Sequence, residues 1–103
     1  MFARMSHWNC RPECWGEDQE LFVAGAVPIM QAHAGFVRAM LLGVPGESSR
    51  IAFTVWADEA AYQRFTQSPD LPKITEMFKH MYVEGALPSP QEFEVRAQGD
   101  GAN

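Results

Sequence analysis

Apolar and polar positions at the start of the chain follow a period of two. Phe2, Arg4, Ser6 and Trp8 share one side of an extended segment, and Ala3, Met5 and His7 share the other. Neither side is cleanly polar, so Phe2 to Trp8 reads as a strand covered on both faces. Asn9 to Gly16 carries Pro12 and Gly16 and reads as a loop. From Glu17 the period becomes helical, with Phe22, Ala26, Ile29, Met30 and His33 on one stripe and the acidic pair Glu17-Asp18 at the start. Pro28 predicts a kink in this helix, or its division into two short pieces. Gly35 ends the segment as a helix-terminating glycine.

Phe36 to Val44 reads as a second strand, Pro45-Gly46-Glu47-Ser48 as a turn, and Arg50 to Trp56 as a third strand. Asp58 caps a following helix and Glu59 sits in its first turn. That helix runs through Ala60, Ala61, Tyr62 and Phe65, until Ser68-Pro69-Asp70 stops it and starts another. Leu71, Ile74, Phe78 and Met81 form the stripe of the next helix, broken by Gly85 and Pro88-Ser89-Pro90. Gln91 to Ala97 alternates Phe93, Val95 and Ala97 with Glu92, Glu94 and Arg96, a last strand with one wet face. The reading is one domain over residues 1–98 and a mobile polar tail at 99–103.

Strand, helix, strand, strand, helix pair and strand make two split βαβ units. Right-handed crossovers then give an α+β, ferredoxin-like fold: a four-stranded antiparallel sheet with helices on one face. The other face is left bare although its strands are apolar on both sides. A twofold partner laid sheet against sheet supplies the cover, so a homodimer through the sheet faces is expected.

Composition adds limits. A chain of 103 residues gains from a partner surface, and seven Phe, three Trp and six Met suggest an interface or a ligand cavity beyond the core. A net charge of −5 with eight Lys and Arg argues against nucleic acid and anionic membrane surfaces. No apolar run suits a signal peptide or a bilayer span, and two cysteines are too few for a disulfide scaffold; a cytoplasmic setting is expected. No glycine-rich dinucleotide turn and no strong metal spacing occurs, so neither cofactor nor metal is expected.

The stretch Ile51 to Asp70 joins a strand ending on Trp56, the Asp58 cap, an Ala-rich helix and Ser68-Pro69. With Ala34-Gly35-Phe36 ahead of strand two, it resembles the antibiotic-biosynthesis-monooxygenase group of the dimeric α+β barrel superfamily. The resemblance covers Phe2 to Ala97. It implies the dimeric barrel and, for the branch that oxidises polycyclic phenols to quinones without metal or flavin, a Trp and a Tyr six residues apart. Trp56 and Tyr62 match that spacing. Ala52 and Glu76 stand where that branch has Asn and Arg, and Phe65 and Asp70 stand where many other members have histidines. Phe65 and Thr75 occupy the Trp and His positions of the haem-degrading branch.

The function expected on this basis is cofactor-independent oxygenation of an aromatic or enolisable small molecule. A non-catalytic ligand-binding or structural dimer of the same fold, or an isomerase, is the alternative. His33 and Tyr62 are the candidate catalytic residues, His33 as general base and Tyr62 as the hydroxyl that orients; Trp56, Phe65 and Arg38 are candidate substrate-binding residues. Against these stand plainer roles, Trp56 in the core, Tyr62 in the helix–sheet seam and His33 as a satisfied core histidine. Arg4 and Arg38, mid-strand on mostly apolar faces, suit either an anionic ligand or acids across the dimer. His7, Cys10 and Cys14 make a loose His-x2-Cys-x3-Cys, better explained by packing than by zinc.

Overall fold

A computed structural model of the chain describes residues 1–83 and 89–101. Its elements are β1 (Phe2–Asn9), α1 (Glu17–Leu21), α2 (Val27–Gln31), β2 (Phe36–Gly43), β3 (Ser49–Trp56), α3 (Glu59–Thr66), α4 (Asp70–Phe78) and β4 (Ser89–Glu94). The strands form one antiparallel sheet in the order β2-β3-β1-β4, the ferredoxin-like arrangement, with the helices on one face. No described helix is long and apolar enough to cross a membrane.

Local chemistry explains most boundaries. The Asp58 carboxylate accepts from Ala61 N at 2.8 Å and caps α3. The Ser68 hydroxyl accepts from Asp70 N at 3.2 Å where α4 begins. Gly35 has φ +88°, and a Cβ there would lie 2.4 Å from the Ala61 Cβ. Only glycine allows that backbone to rest on α3, which explains both the Gly before β2 and the small residue in the helix.

Four boundaries differ from the sequence pattern. The first helix is divided at a π-helical turn, Phe22–Ala26, and not at Pro28. Backbone dihedrals stay helical through Ala26 and Val27, so the wide turn just upstream absorbs the missing proline N–H. The helical run ends at Gln31, leaving His33 in the turn that follows. The last helix ends at Phe78, and a 3₁₀ turn, Lys79–Met81, carries its stripe onward to the buried Met81. β4 begins at Ser89 and ends at Glu94, not Gln91 to Ala97; it pairs with β1 from Phe2, opposite Glu94, to His7, opposite Ser89, and β1 starts at Phe2, so the ladder ends at Glu94. Pro90 is tolerated because β4 is an edge. The strand is exposed along its whole length, Phe93 included, so the expected dry face is open. Gly85 and Pro88, expected breakers, lie outside the described residues.

Across the helix-covered face the register sets four rows. Phe36, Trp56, Phe2 and Glu94 make the first; Ala39, Thr54, Arg4 and Glu92 the second; Leu41, Ala52, Ser6 and Pro90 the third; Gly43, Arg50 and Trp8 the fourth. The opposite face carries Ala3, Met5, Ile51, Phe53, Val55, Met40, Leu42 and Phe93, with the last three 38–43% exposed.

Candidate functional site

The rows dictate where the space between sheet and helices is filled. Row one is bulky: Trp56 is fully buried, Phe65 of α3 stacks on it at 4.8 Å between centroids, and Phe36 meets it edge-on at 5.3 Å. Tyr62 closes the cluster against Phe2 at 5.0 Å. Row four ends on Trp8, which meets Phe78 and Tyr82 edge-on. Between them, rows two and three present Thr54, Ala52 and Ser6, too short to reach the helices. The space left is a small cavity of about 90 Å³, open at a mouth.

Its floor is Arg4, Ser6, Ala52 and Thr54, and its walls include Phe22, Met30, Phe65, Leu71, Ile74 and Phe78, with Thr75 and Tyr82 adding hydroxyls. No acidic side chain lines it among the described residues. Thr54 Oγ1 accepts from Trp56 Nε1 at 3.1 Å, which leaves its own hydroxyl hydrogen to donate. Arg4 Nε is buried without a hydrogen-bond partner among the described residues. A buried donor of that kind forfeits about 1–3 kcal/mol relative to a satisfied one.

The sequence-predicted site residues divide. Phe65 lines the cavity. Trp56 and Tyr62 do not; they stand behind Phe65 and beside Phe2 in the filled cluster. Burial, then the neighbouring Glu92 carboxylate, pushes the Tyr62 phenol up to about 12, while the Arg4 guanidinium pulls it down. His33 Nε2 lies 2.7 Å from Asp70 Oδ2, and its ring meets Phe65 edge-on at 5.0 Å. It is therefore partly buried and separated from the cavity by one side chain. Arg38 points the other way: its register partner is Val55, on the bare face, and it is exposed. A β-bulge at Val37 sets that direction.

Other candidates are set apart. His7 lies on the bare face, where its Nε2 is 2.9 Å from the Ser49 hydroxyl, while Cys10 and Cys14 are buried free thiols. Burial, then Asp18, pushes the Cys10 thiol up to about 11; burial also raises Cys14. Among the described residues no three of His, Cys, Asp and Glu are grouped as a metal would require. His80 is exposed and pairs with Glu17.

Three features escaped the sequence. The His33–Asp70 pair joins residues 37 apart, one of them read only as a helix start and as a departure from the family pattern. Ser6 and Thr54 gain meaning only as short inward residues between the bulky first and fourth rows. Arg50 binds the fully buried Asp18 at 2.8 Å and donates to the carbonyls of Glu47 and Ser49. The inward parity of residues 4, 6, 52 and 54 was the available signal for the cavity.

The sheet order and the one-sided helices define a ferredoxin-like fold, the one found in solved antibiotic-biosynthesis-monooxygenase-like structures. No family model and no curated protein matches the sequence. Among solved structures, SnoaB from Streptomyces nogalater, a cofactor-independent oxygenase, is similar at 18% identity and TM-score 0.75, with 94% of each chain covered. The ActVA-Orf6 monooxygenase of Streptomyces coelicolor, solved with Nanaomycin D, is similar at 16% identity and TM-score 0.80, covering 98% of this chain and 92% of that one. A variant of MhuD with two manganese protoporphyrin IX molecules per active site is 23% identical at TM-score 0.69, covering 98% and 100%. At these identities the likeness is one of fold.

Proposed function

We propose that the protein is a monooxygenase without a bound cofactor, acting on a small aromatic or enolisable molecule held between sheet and helices. The observation that carries this is the cavity: apolar walls and a cationic, hydroxyl-bearing floor, in a fold shared with proteins named as oxygenases. The apolar walls hold a flat ring and keep water away. The substrate's anion gives an electron pair to molecular oxygen, forming a carbon–oxygen bond; loss of water from the resulting peroxide leaves a quinone. On this reading Phe65 packs on the substrate, backed by Trp56. His33, held by Asp70, receives the proton, and the Tyr62 hydroxyl orients the Arg4 end. Arg38 belongs to the twofold contact we propose across the bare sheet face.

Oxygen uptake with 1,5-dihydroxynaphthalene, followed at an electrode, tests this. His33→Gln should lower kcat and leave the dissociation constant nearly unchanged. A non-catalytic binding dimer is the second reading, favoured by the position of His33 and Tyr62 outside the cavity lining. Binding of the naphthol with no oxygen uptake would establish it instead.

A further inference from the structure

Two arginines face the helices from neighbouring central strands, and their surroundings are opposite. Arg50, in row four, has its charge met by the fully buried Asp18 carboxylate and by two backbone carbonyls. It is a structural arginine, satisfied by its own chain. Arg4, in row two, forms no ion pair among the described residues, and its Nε is buried without a partner. Its register partner Glu92 faces the same way, yet Glu92 sits on the exposed edge strand and does not pair with it. The cavity that Arg4 borders has this one cation and no acid among its described lining residues.

We propose that the cavity takes an aromatic anion, a flat ring system carrying one negatively charged oxygen, and that Arg4 is the residue that selects the charge. The inference rests on the reading of the cavity as the ligand site and names its substrate class. A carboxylate and an ionised phenol share this chemistry: each offers a lone-pair oxygen to the guanidinium while its rings lie against Phe65 and Phe78. The low dielectric of the apolar walls strengthens the pairing, and the vacant N–H gives it direction. The chain's overall charge of −5 repels anions at long range, so selection has to come from this local group.

The test compares 2-naphthoate with 2-naphthamide, neutral and nearly the same shape, by calorimetric titration of the full chain at neutral pH. The unaltered protein should bind naphthoate about tenfold or more tightly than the amide. Arg4→Met should erase that preference and leave amide binding nearly unchanged; Arg4→Lys should keep part of it. Equal binding of the two compounds by the unaltered protein, a result that needs no variant, overturns the role of Arg4 and leaves the cavity as the ligand site. So does a preference that survives in Arg4→Met. Binding of neither compound, or binding undisturbed when the cavity is filled by Ala52→Leu, removes the cavity reading itself. Separating carboxylate from phenolate takes 2-naphthol titrated at neutral pH and above its ionisation: a gain confined to high pH and to the Arg4 protein assigns the phenolate as a ligand, and the absence of any gain restricts the class to carboxylates.

Discussion

The layer between sheet and helices has a solid half and a hollow half, built on the same strands a few residues apart. In the solid half Trp56, Phe65, Phe36, Tyr62 and Phe2 pack ring against ring. In the hollow half Ser6, Ala52 and Thr54 occupy equivalent inward positions, and the helices, held up by Trp56 on one side and Trp8 on the other, cannot descend to meet them. Local propensity is alike in both halves, since each stands on strand residues of the same two ladders. Side-chain volume alone separates a core from a cavity. The comparison also relocates the aromatic pair that family resemblance put at the centre of the chemistry: Trp56 and Tyr62 form the back wall, and the floor is set by smaller residues.

The difference breaks most visibly at Trp56. Trp56→Ala removes the largest buried ring of the solid half and should cost about 3–5 kcal/mol of unfolding free energy, read by urea titration. A loss under 1 kcal/mol would mean that the solid half is not packed as described. The sharper pair is one substitution made twice. Ala61→Leu, against the Gly35 backbone, should cost about 1–3 kcal/mol or more by overpacking. Ala52→Leu enters empty space; it should leave the melting temperature nearly unchanged or raise it, while weakening naphthoate binding at least about tenfold. Equal destabilisation by the two would erase the distinction between the halves.

A third check uses alkaline pH. Cys10, buried just past the end of β1, has its thiol raised from 9.0 to about 11, and Tyr62, in the solid half, has its phenol raised from 10.0 to about 12. Both groups hold their protons more tightly when folded. Their contribution is intact below pH 9 and is lost as pH rises through 11 and then 12. Stability should therefore fall between pH 9 and 12, and Cys10→Ala should flatten the earlier part of that fall. A stability profile identical to that of the unaltered protein would show that Cys10 does not report on folding. The smallest effect is at Tyr62. Tyr62→Phe keeps the ring packed on Phe2 and removes one hydroxyl, so binding or turnover of a phenolic ligand should weaken by about 1 kcal/mol, a few-fold. A loss of a hundredfold would place the phenol in the chemistry itself.

How far the chain was legible depended on how local the determining forces were. The period-two and helical stripes, the Asp58 cap, the Gly35 terminator and the Ser68-Pro69 break were all readable, because each acts within a few residues. The ferredoxin-like order followed from them, since handed crossovers leave few alternatives. Boundaries set by a partner were not: β4 ends at Glu94, where β1 begins, and the helix before Pro28 distorts a turn upstream where its neighbours permit. The site was legible only in part. Sequence named Phe65 and Arg38 as substrate-binding candidates and only noted Arg4; Phe65 lines the cavity, while Arg38 faces the bare side, because strand parity alone does not anticipate a bulge at Val37. It named His33 without Asp70, since 37 residues separate them. By itself the sequence determined which side chains each element carries and, where no bulge intervenes, on which side. The tertiary structure decided which rows of those side chains meet across the layer and which fall short. An empty space has no residue of its own, and only the packing of distant segments creates it.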